Sequence, residues 1–397
     1  MNLNKHDFNE VVNRKMTAAE KWDGMERVFG VTDVLPLWVA DMDFKAPASV
    51  IEAIEKRVEH GVFGYTLQTH DYKLSVAQWM QKRHQWTIDM DWIVFSPGVV
   101  PALSFAVQAF TEPGDKVLIQ TPVYPPFYQV VTNHGRELVM NPLQLQQDGT
   151  YVMDLEALER SLDDGVKLLI LCSPHNPVGR VWSVEELEAI SRLCAERGVL
   201  IVSDEIHADL VFEGKHTPLA MISEQIKNQC IICTSPSKTF NIAGLNTSNI
   251  IIPNDEIRKK FQQTVQLYAV GSISALGSVA TEAAYNGGEV WLDEALEYIR
   301  DNMHYIQQFI AEHIPEIHVT LPEATYLLWL DFRSVNMSSD ELAAFLLTQA
   351  KLALNQGASF GTEGEGFMRM NVACPRSIIE EAMHRLHSAM QNLRAQR

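Results

Sequence analysis

The chain of 397 residues is 46% apolar and carries a formal net charge of -18. That length suits two domains around a large core, and that charge disfavours nucleic acid and anionic lipid as main partners. Five scattered cysteines rule out a disulfide framework, and without an H-E-x-x-H or a second C-x-x-C to join Cys230 and Cys233, no metal site is expected.

The N-terminus, Met1 to Glu10, is polar from the outset and lacks the apolar core of a secretion signal, and no later apolar run reaches transmembrane length. A soluble, cytoplasmic protein with no membrane contact is the expectation. Leu35-Pro-Leu-Trp-Val-Ala-Asp-Met-Asp-Phe44 reads as an extended, partly buried segment punctuated by two aspartates. The spacing of Val50, Ile51, Ile54 and Val58 predicts a helix over 46–59 that Gly61 closes. A loop follows at Phe63-Gly-Tyr-Thr66, and 72–84 reads as another helix.

Short β-rich runs then alternate with helices. Strands are predicted at 92–95, 116–120, 167–172, 199–203 and 230–233, and Ser183-Val-Glu-Glu186 is a capping box that opens a helix. That alternation predicts an α/β fold with a mostly parallel sheet, whose ligands sit at the carboxyl ends of the strands. Beyond 252 helices dominate, at 255–267, 273–285 and 290–313. Strands at 317–320, 326–331 and 366–372 follow, with helices at 338–351 and from 375 onward. We therefore expect an N-terminal segment over 1–45 that belongs to the small domain, a large domain over 46–286 and a smaller α+β domain over 287–397. The helix at 290–313 is the expected hinge.

Candidate site residues lie at the strand ends. Lys238 follows an apolar strand and sits beside Ser235 and Ser237, hydroxyls suited to holding a phosphate. It is either an ordinary loop lysine or an amine placed to form a Schiff base. Asp204 ends an apolar run, where a carboxylate is costly unless it faces a cation such as a pyridinium nitrogen; its other reading is a helix cap. Asn176, in Ser173-Pro-His-Asn-Pro-Val-Gly179, either donates to a phenolate oxygen or shapes a turn. Tyr124 either stacks on a planar ring or anchors the next helix. Gly98 and the amides of Val99 and Val100 begin a helix, a ready anion site. Arg369, alternating with apolar residues, wants a carboxylate, either a substrate's or a structural partner's.

Asn176-Pro, then Asp204, then Ser235-x-x-Lys238, then a late arginine is an order that resembles class I/II aminotransferase-like enzymes of the type I pyridoxal-phosphate fold, over essentially the whole chain. Trp38-Val-Ala-Asp-Met-Asp-Phe44, Phe63-Gly-Tyr-Thr66, Ser96-Pro-Gly-Val-Val-Pro101, Asp204-Glu-Ile-His207 and Ser235-Pro-Ser-Lys-Thr-Phe-Asn-Ile-Ala-Gly-Leu245 look like the cystathionine β-lyase, or C–S lyase, branch. The resemblance implies pyridoxal 5'-phosphate bound to Lys238 and stacked on Tyr124, with Asn176 at its phenolic oxygen and Asp204 at its pyridine nitrogen. Arg369 would hold the substrate carboxylate. A homodimer with shared active sites is also implied, each site borrowing Tyr65 from its neighbour to touch the phosphate.

Two positions depart from the aminotransferase pattern. His207 stands where tyrosine is usual and is assigned to the cofactor pocket; Asn246 replaces an arginine and so removes a phosphate cation. The implied reaction is β-elimination from L-cystathionine or related cysteine S-conjugates, giving thiol (homocysteine from cystathionine), pyruvate and ammonia. An aminotransferase would use the same lysine and cofactor. A regulatory protein that binds a transcription factor is the third reading, implied by relatives in this branch.

Overall fold

Seven strands form the main sheet, in the order Ile93–Ser96, Ser248–Ile251, Cys230–Thr234, Leu200–Asp204, Val166–Cys172, Lys116–Thr121 and Glu137–Pro142. The pairings among the last five are all parallel, whereas Ser248–Ile251 runs against both of its neighbours. This computed structural model describes residues 6–396. Residues 1–5 and 397, the outermost positions of the expected N-terminal and C-terminal segments, lie outside the described residues.

Alternation along each strand sorts its side chains into two layers. Val117, Ile119, Leu168, Ile170, Val202 and Ile231 pack with Leu103, Phe105, Phe127 and Phe261 on one face. On the other, Leu118, Leu169, Leu171, Ile201 and Ile232 pack with Trp182, Leu187, Ile190 and Phe240. Cover on both faces is the reason these strands are continuous apolar runs rather than alternating ones. The register places Cys172 beside Asp204, and Asp204 beside Cys233. The loops after three neighbouring strands therefore open from one edge.

A second sheet orders His318–Val319, Leu327–Asp331, Phe367–Asn371 and Asn355–Gln356, with antiparallel pairing throughout. The helices Glu289–His313 and Arg376–Gln396 pack against each other beside it. The N-terminal segment joins this part of the chain: Leu35–Pro36 pairs in parallel with Leu352–Ala353, and the Asp43 N–H donates to the Ala373 carbonyl at 2.9 Å. A largely buried charge cluster ties the segment to itself, with Lys21 Nζ and Arg14 Nη1 each 2.7 Å from an Asp43 oxygen.

The helices expected near the start form as Ala48–His60 and His70–His84, and the later ones as Asp255–Leu267, Ala275–Gly287 and Glu289–His313. Sequence spacing did not reveal the strands Ser248–Ile251 and Glu137–Pro142 or the helix Leu155–Asp163. Among the described residues no helix is long and apolar enough to cross a membrane.

Candidate active site

The carboxyl edge of the main sheet brings Asp204 and Lys238 to the wall of one cavity of about 350 Å³. Asp204 is the last residue of its strand and is 4% exposed. Burial pushes its carboxyl up to about 7, against the pull of an N–H bond from Ile206 and of the Lys238 charge. Lys238 sits on the four-residue helical turn Pro236–Thr239, just past the strand Cys230–Thr234. Its Nζ donates to the Ala40 carbonyl at 2.6 Å. Burial first, and the Arg369 charge second, bring the amine down to about 8, while Asp41 and Asp204 oppose them. About a tenth of such an amine is unprotonated at pH 7, far more than for a solvated lysine.

Asn176 is tied down on three sides. Its N–H donates to Cys172 Sγ at 3.4 Å, its carbonyl accepts from the Tyr124 N–H at 3.1 Å, and its Oδ1 accepts from Arg369 Nη1 at 3.1 Å. The side-chain Nδ2 is thus the end available to a ligand. Arg369, in the middle of Phe367–Asn371, is also 4% exposed. Its Nη2 donates to the Trp38 carbonyl at 3.0 Å and to Asn355 Oδ1 at 2.7 Å, and its guanidinium lies 4.8 Å from the Phe360 ring centre.

All these partners are neutral, which argues against the structural salt bridge and for a cation awaiting an anion. Burial lowers the guanidinium to about 10, and its Nε has no partner among the described residues. Tyr124 lines the same cavity, with its hydroxyl pushed up by burial. His207 is buried, its Nδ1 has no partner among the described residues, and its ring stands edge-on to Tyr326 at 6.2 Å. Burial, with the charges of Lys238 and Arg369, brings it down to about 3, so the ring is neutral.

Gly98, Val99 and Val100 also line the cavity, where the helix Val99–Phe110 begins. The first N–H groups of such a helix have no partner within it. Ser237 lines the cavity too. The Ser235 hydroxyl donates to the Thr247 carbonyl at 2.8 Å and accepts the Ser237 N–H at 3.1 Å, capping the turn that bears the lysine. Tyr65 stands apart at 107% relative exposure. It lines an adjoining groove of about 740 Å³ that shares Pro97 and Asn246 with the cavity.

The structure adds one group that side-chain motifs do not reveal, the carbonyl of Ala40. It accepts from Tyr326 Oη at 2.9 Å as well as from Lys238. Asn371 Nδ2 donates to the carbonyls of Val39 and Asp41, at 2.6 and 2.5 Å, and Asn241 Nδ2 donates to those of Met42 and Phe44, at 2.9 and 2.8 Å. The available signal was indirect: paired aspartates in an otherwise apolar segment needed cations, and Lys21 and Arg14 supply them. Together these features fit pyridoxal 5'-phosphate. There is an amine for its carbonyl carbon, a buried carboxylate for its ring nitrogen, unpaired N–H groups for its phosphate and an unpartnered imidazole nitrogen beside it.

The model of the family described as aminotransferase class I and II matches residues 32–386. Cystathionine β-lyase PatB of Bacillus subtilis is 47% identical over 97% of this chain and 100% of its own length. The crystal structure of cystalysin from Treponema denticola, which contains a pyridoxal 5'-phosphate cofactor, has a TM-score of 0.95 at 40% identity, covering 98% of this chain and 100% of that one. The PLP-bound C–S lyase from Staphylococcus hominis has a TM-score of 0.90 at 33% identity, covering 97% and 98%. The chain therefore belongs to the aminotransferase class I and II family, with the type I pyridoxal-phosphate fold, and within it to the cystathionine β-lyase branch.

Proposed function

We propose that this protein is a pyridoxal 5'-phosphate-dependent carbon–sulfur β-lyase that removes a thiol from L-cystathionine or related cysteine S-conjugates, leaving pyruvate and ammonia. The observation that carries it is the pairing of a buried amine with a buried carboxylate in one cavity, in a chain 47% identical to a cystathionine β-lyase. When bound, pyridoxal phosphate supplies an electrophilic carbonyl carbon and a protonated ring that accepts the electron pair left on the substrate's α-carbon.

Lys238 Nζ would hold the cofactor and Asp204 its ring nitrogen. Asn176 Nδ2 and His207 lie with them on the cavity wall, suited to the phenolic oxygen, and Tyr124 offers its ring face. Ser237 and the amides of Gly98, Val99 and Val100 would take the phosphate, and Ser235 would join them by giving up its bond to the Thr247 carbonyl. Arg369 would bind the substrate carboxylate through Nε and Nη1. Lys238, with its lowered proton affinity, removes the α-proton once its Nζ is free, and the Ala40 carbonyl holds that nitrogen in place. The same Nζ then carries a proton to the departing sulfur.

A homodimer completes the site. Its support is the exposed run Val62, Phe63, Tyr65 and Leu67, of which Phe63 and Tyr65 line the groove next to the cavity. The division into 1–45 with 287–397, and 46–286, is supported by the pairing of Leu35–Pro36 with Leu352–Ala353. A cytoplasmic setting accords with five free, buried cysteines, the state kept in a reducing compartment.

An aminotransferase would use the same lysine and cofactor, though with tyrosine usual at the position of His207, and the family model alone favours it. The two part on L-cystathionine supplied without any keto acid. Pyruvate and free thiol released over many turnovers is the expected result; a requirement for added keto acid would overturn elimination.

A further inference from the structure

Behind the lysine lies a buried carboxylate that the proposed chemistry does not use. Asp209 is 8% exposed and receives three donor groups: Trp79 Nε1 at 3.1 Å, His84 Nε2 at 2.9 Å and Thr239 Oγ1 at 2.8 Å. Burial alone would push this carboxyl up; the His84, Thr239 and Trp79 bonds hold it below its ordinary range. Trp79 and His84 both come from the helix His70–His84, and Thr239 is the residue after Lys238. Asp209 itself lies five residues past Asp204, in the loop that leaves the same strand end.

The lysine turn needs such an anchor. Pro236–Thr239 is four residues long, and few of its bonds are internal: Phe240 N–H donates to the Pro236 carbonyl and Ile242 N–H to that of Ser237. Ser235 pins its start to the Thr247 carbonyl. Thr239, 1% exposed, pins its end to Asp209. A long side chain magnifies any rotation of the backbone that carries it, and a reacting group misplaced by about 1 Å loses about 100-fold in rate.

We propose that Asp209, held by Trp79 and His84, is a positioning residue that fixes Lys238 through the Thr239 hydroxyl and so sets the lysine's place relative to Asp204. The proposal rests on Lys238 being the cofactor-bearing lysine. Asp209 touches neither substrate nor cofactor; it acts on the turn. Arg369 and Asn176, which would bind the substrate carboxylate and orient the ring, stand on other elements and do not share this anchor.

The test compares Thr239→Val and Thr239→Ser with the unaltered holoenzyme, reading kcat and KM for L-cystathionine and the pH midpoint of the cofactor's visible absorption. The titratable groups around the amine, Asp41, Asp204, His207, Tyr326 and Arg369, are the same in every variant. Thr239→Val is expected to lower kcat by about tenfold or more, keep KM within about twofold and shift the absorption midpoint. Thr239→Ser, which keeps the hydroxyl, is expected to restore both. A valine variant with unchanged kcat and midpoint, whatever its melting temperature, would overturn the proposal, as would a serine variant no better than valine. Should the valine variant not fold, Trp79→Phe decides: it removes one donor to Asp209 and must move the midpoint in the same holoenzyme, and an unmoved midpoint overturns the idea. If the unaltered enzyme eliminated nothing, the lyase assignment would fail while the absorption measurement still judged the anchor.

Discussion

Asp204 and Lys238 are each held where their charged forms are penalised, and the penalties have opposite pH dependence. Asp204 titrates near 7 when folded, against 3.8 ordinarily. Between those values the folded chain binds more protons than the unfolded one, so stability falls as pH rises through that window, by on the order of 4 kcal/mol. Lys238 is lowered from 10.5 to about 8. Its cost is therefore full below 8 and is relieved as pH climbs toward 10.5. Cofactor-free protein should accordingly be least stable between about pH 7 and 8, where both costs stand together. Asp204→Asn should raise the melting temperature of cofactor-free protein in that window and flatten its fall from about pH 5 to 7, while abolishing turnover. Thermal melts across this range check it; an Asn variant that melts at or below the unaltered chain at pH 8 would contradict the account.

At the scale of the element, the junction between the strand Ile93–Ser96 and the helix Val99–Phe110 depends on Gly98. Its φ of 141° is one that side chains rarely adopt, and a Cβ there would stand 3.2 Å from Pro101 Cδ. Gly98→Ala should cost about 1 to 3 kcal/mol of stability through strain. It should also weaken pyridoxal phosphate binding about tenfold, because the helix start that faces the phosphate is displaced. A cofactor titration followed by absorbance, together with a melt, tests both effects; undiminished cofactor affinity would remove Gly98 from the anion site. Elements of this kind were readable in the sequence because turn chemistry and uniform apolar runs leave local marks. Lys116–Thr121, Val166–Cys172 and Leu200–Asp204 are apolar because both faces are covered, and their chemical residues stand at the ends. Ser248–Ile251 left no such mark. Its first half is polar, and the acceptors of Asn249 are met by residues distant in the chain, with Tyr72 Oη donating to its Oδ1 at 2.7 Å and Thr234 Oγ1 to its carbonyl at 2.8 Å. Glu137–Pro142 is an edge strand with half-exposed residues, so its pattern is mixed. The Ala40 carbonyl was invisible for a simpler reason: a backbone acceptor has no residue type.

For the whole molecule the open question is what covers the surface around Tyr65. The loop after Ala48–His60 exposes Val62, Phe63, Tyr65 and Leu67, and the end of Asp255–Leu267 exposes Leu267. This chain's own Tyr65 lines the groove rather than the cavity, with Pro97 and Asn246 at the join. In the aminotransferase pattern that the sequence resembles, an arginine stands at the position of Asn246, so a hydroxyl arriving from a second copy would supply a phosphate donor in its place. If Tyr65 serves the neighbouring site, a dimer of Lys238→Ala with Tyr65→Ala subunits contains one site altered at both positions and one altered at neither. Random mixing of the two inactive variants should then recover about a quarter of wild-type activity, since half the dimers are mixed and each has one sound site. If Tyr65 serves its own site, every mixed dimer lacks a sound site and mixing recovers nothing; if it serves none, Tyr65→Ala is active by itself before any mixing. The measurement is the activity of the two variants unfolded and refolded together, against each treated alone, with sedimentation confirming that dimers have formed. A monomer by sedimentation, or two inactive variants that recover nothing on mixing, would confine the site to one chain.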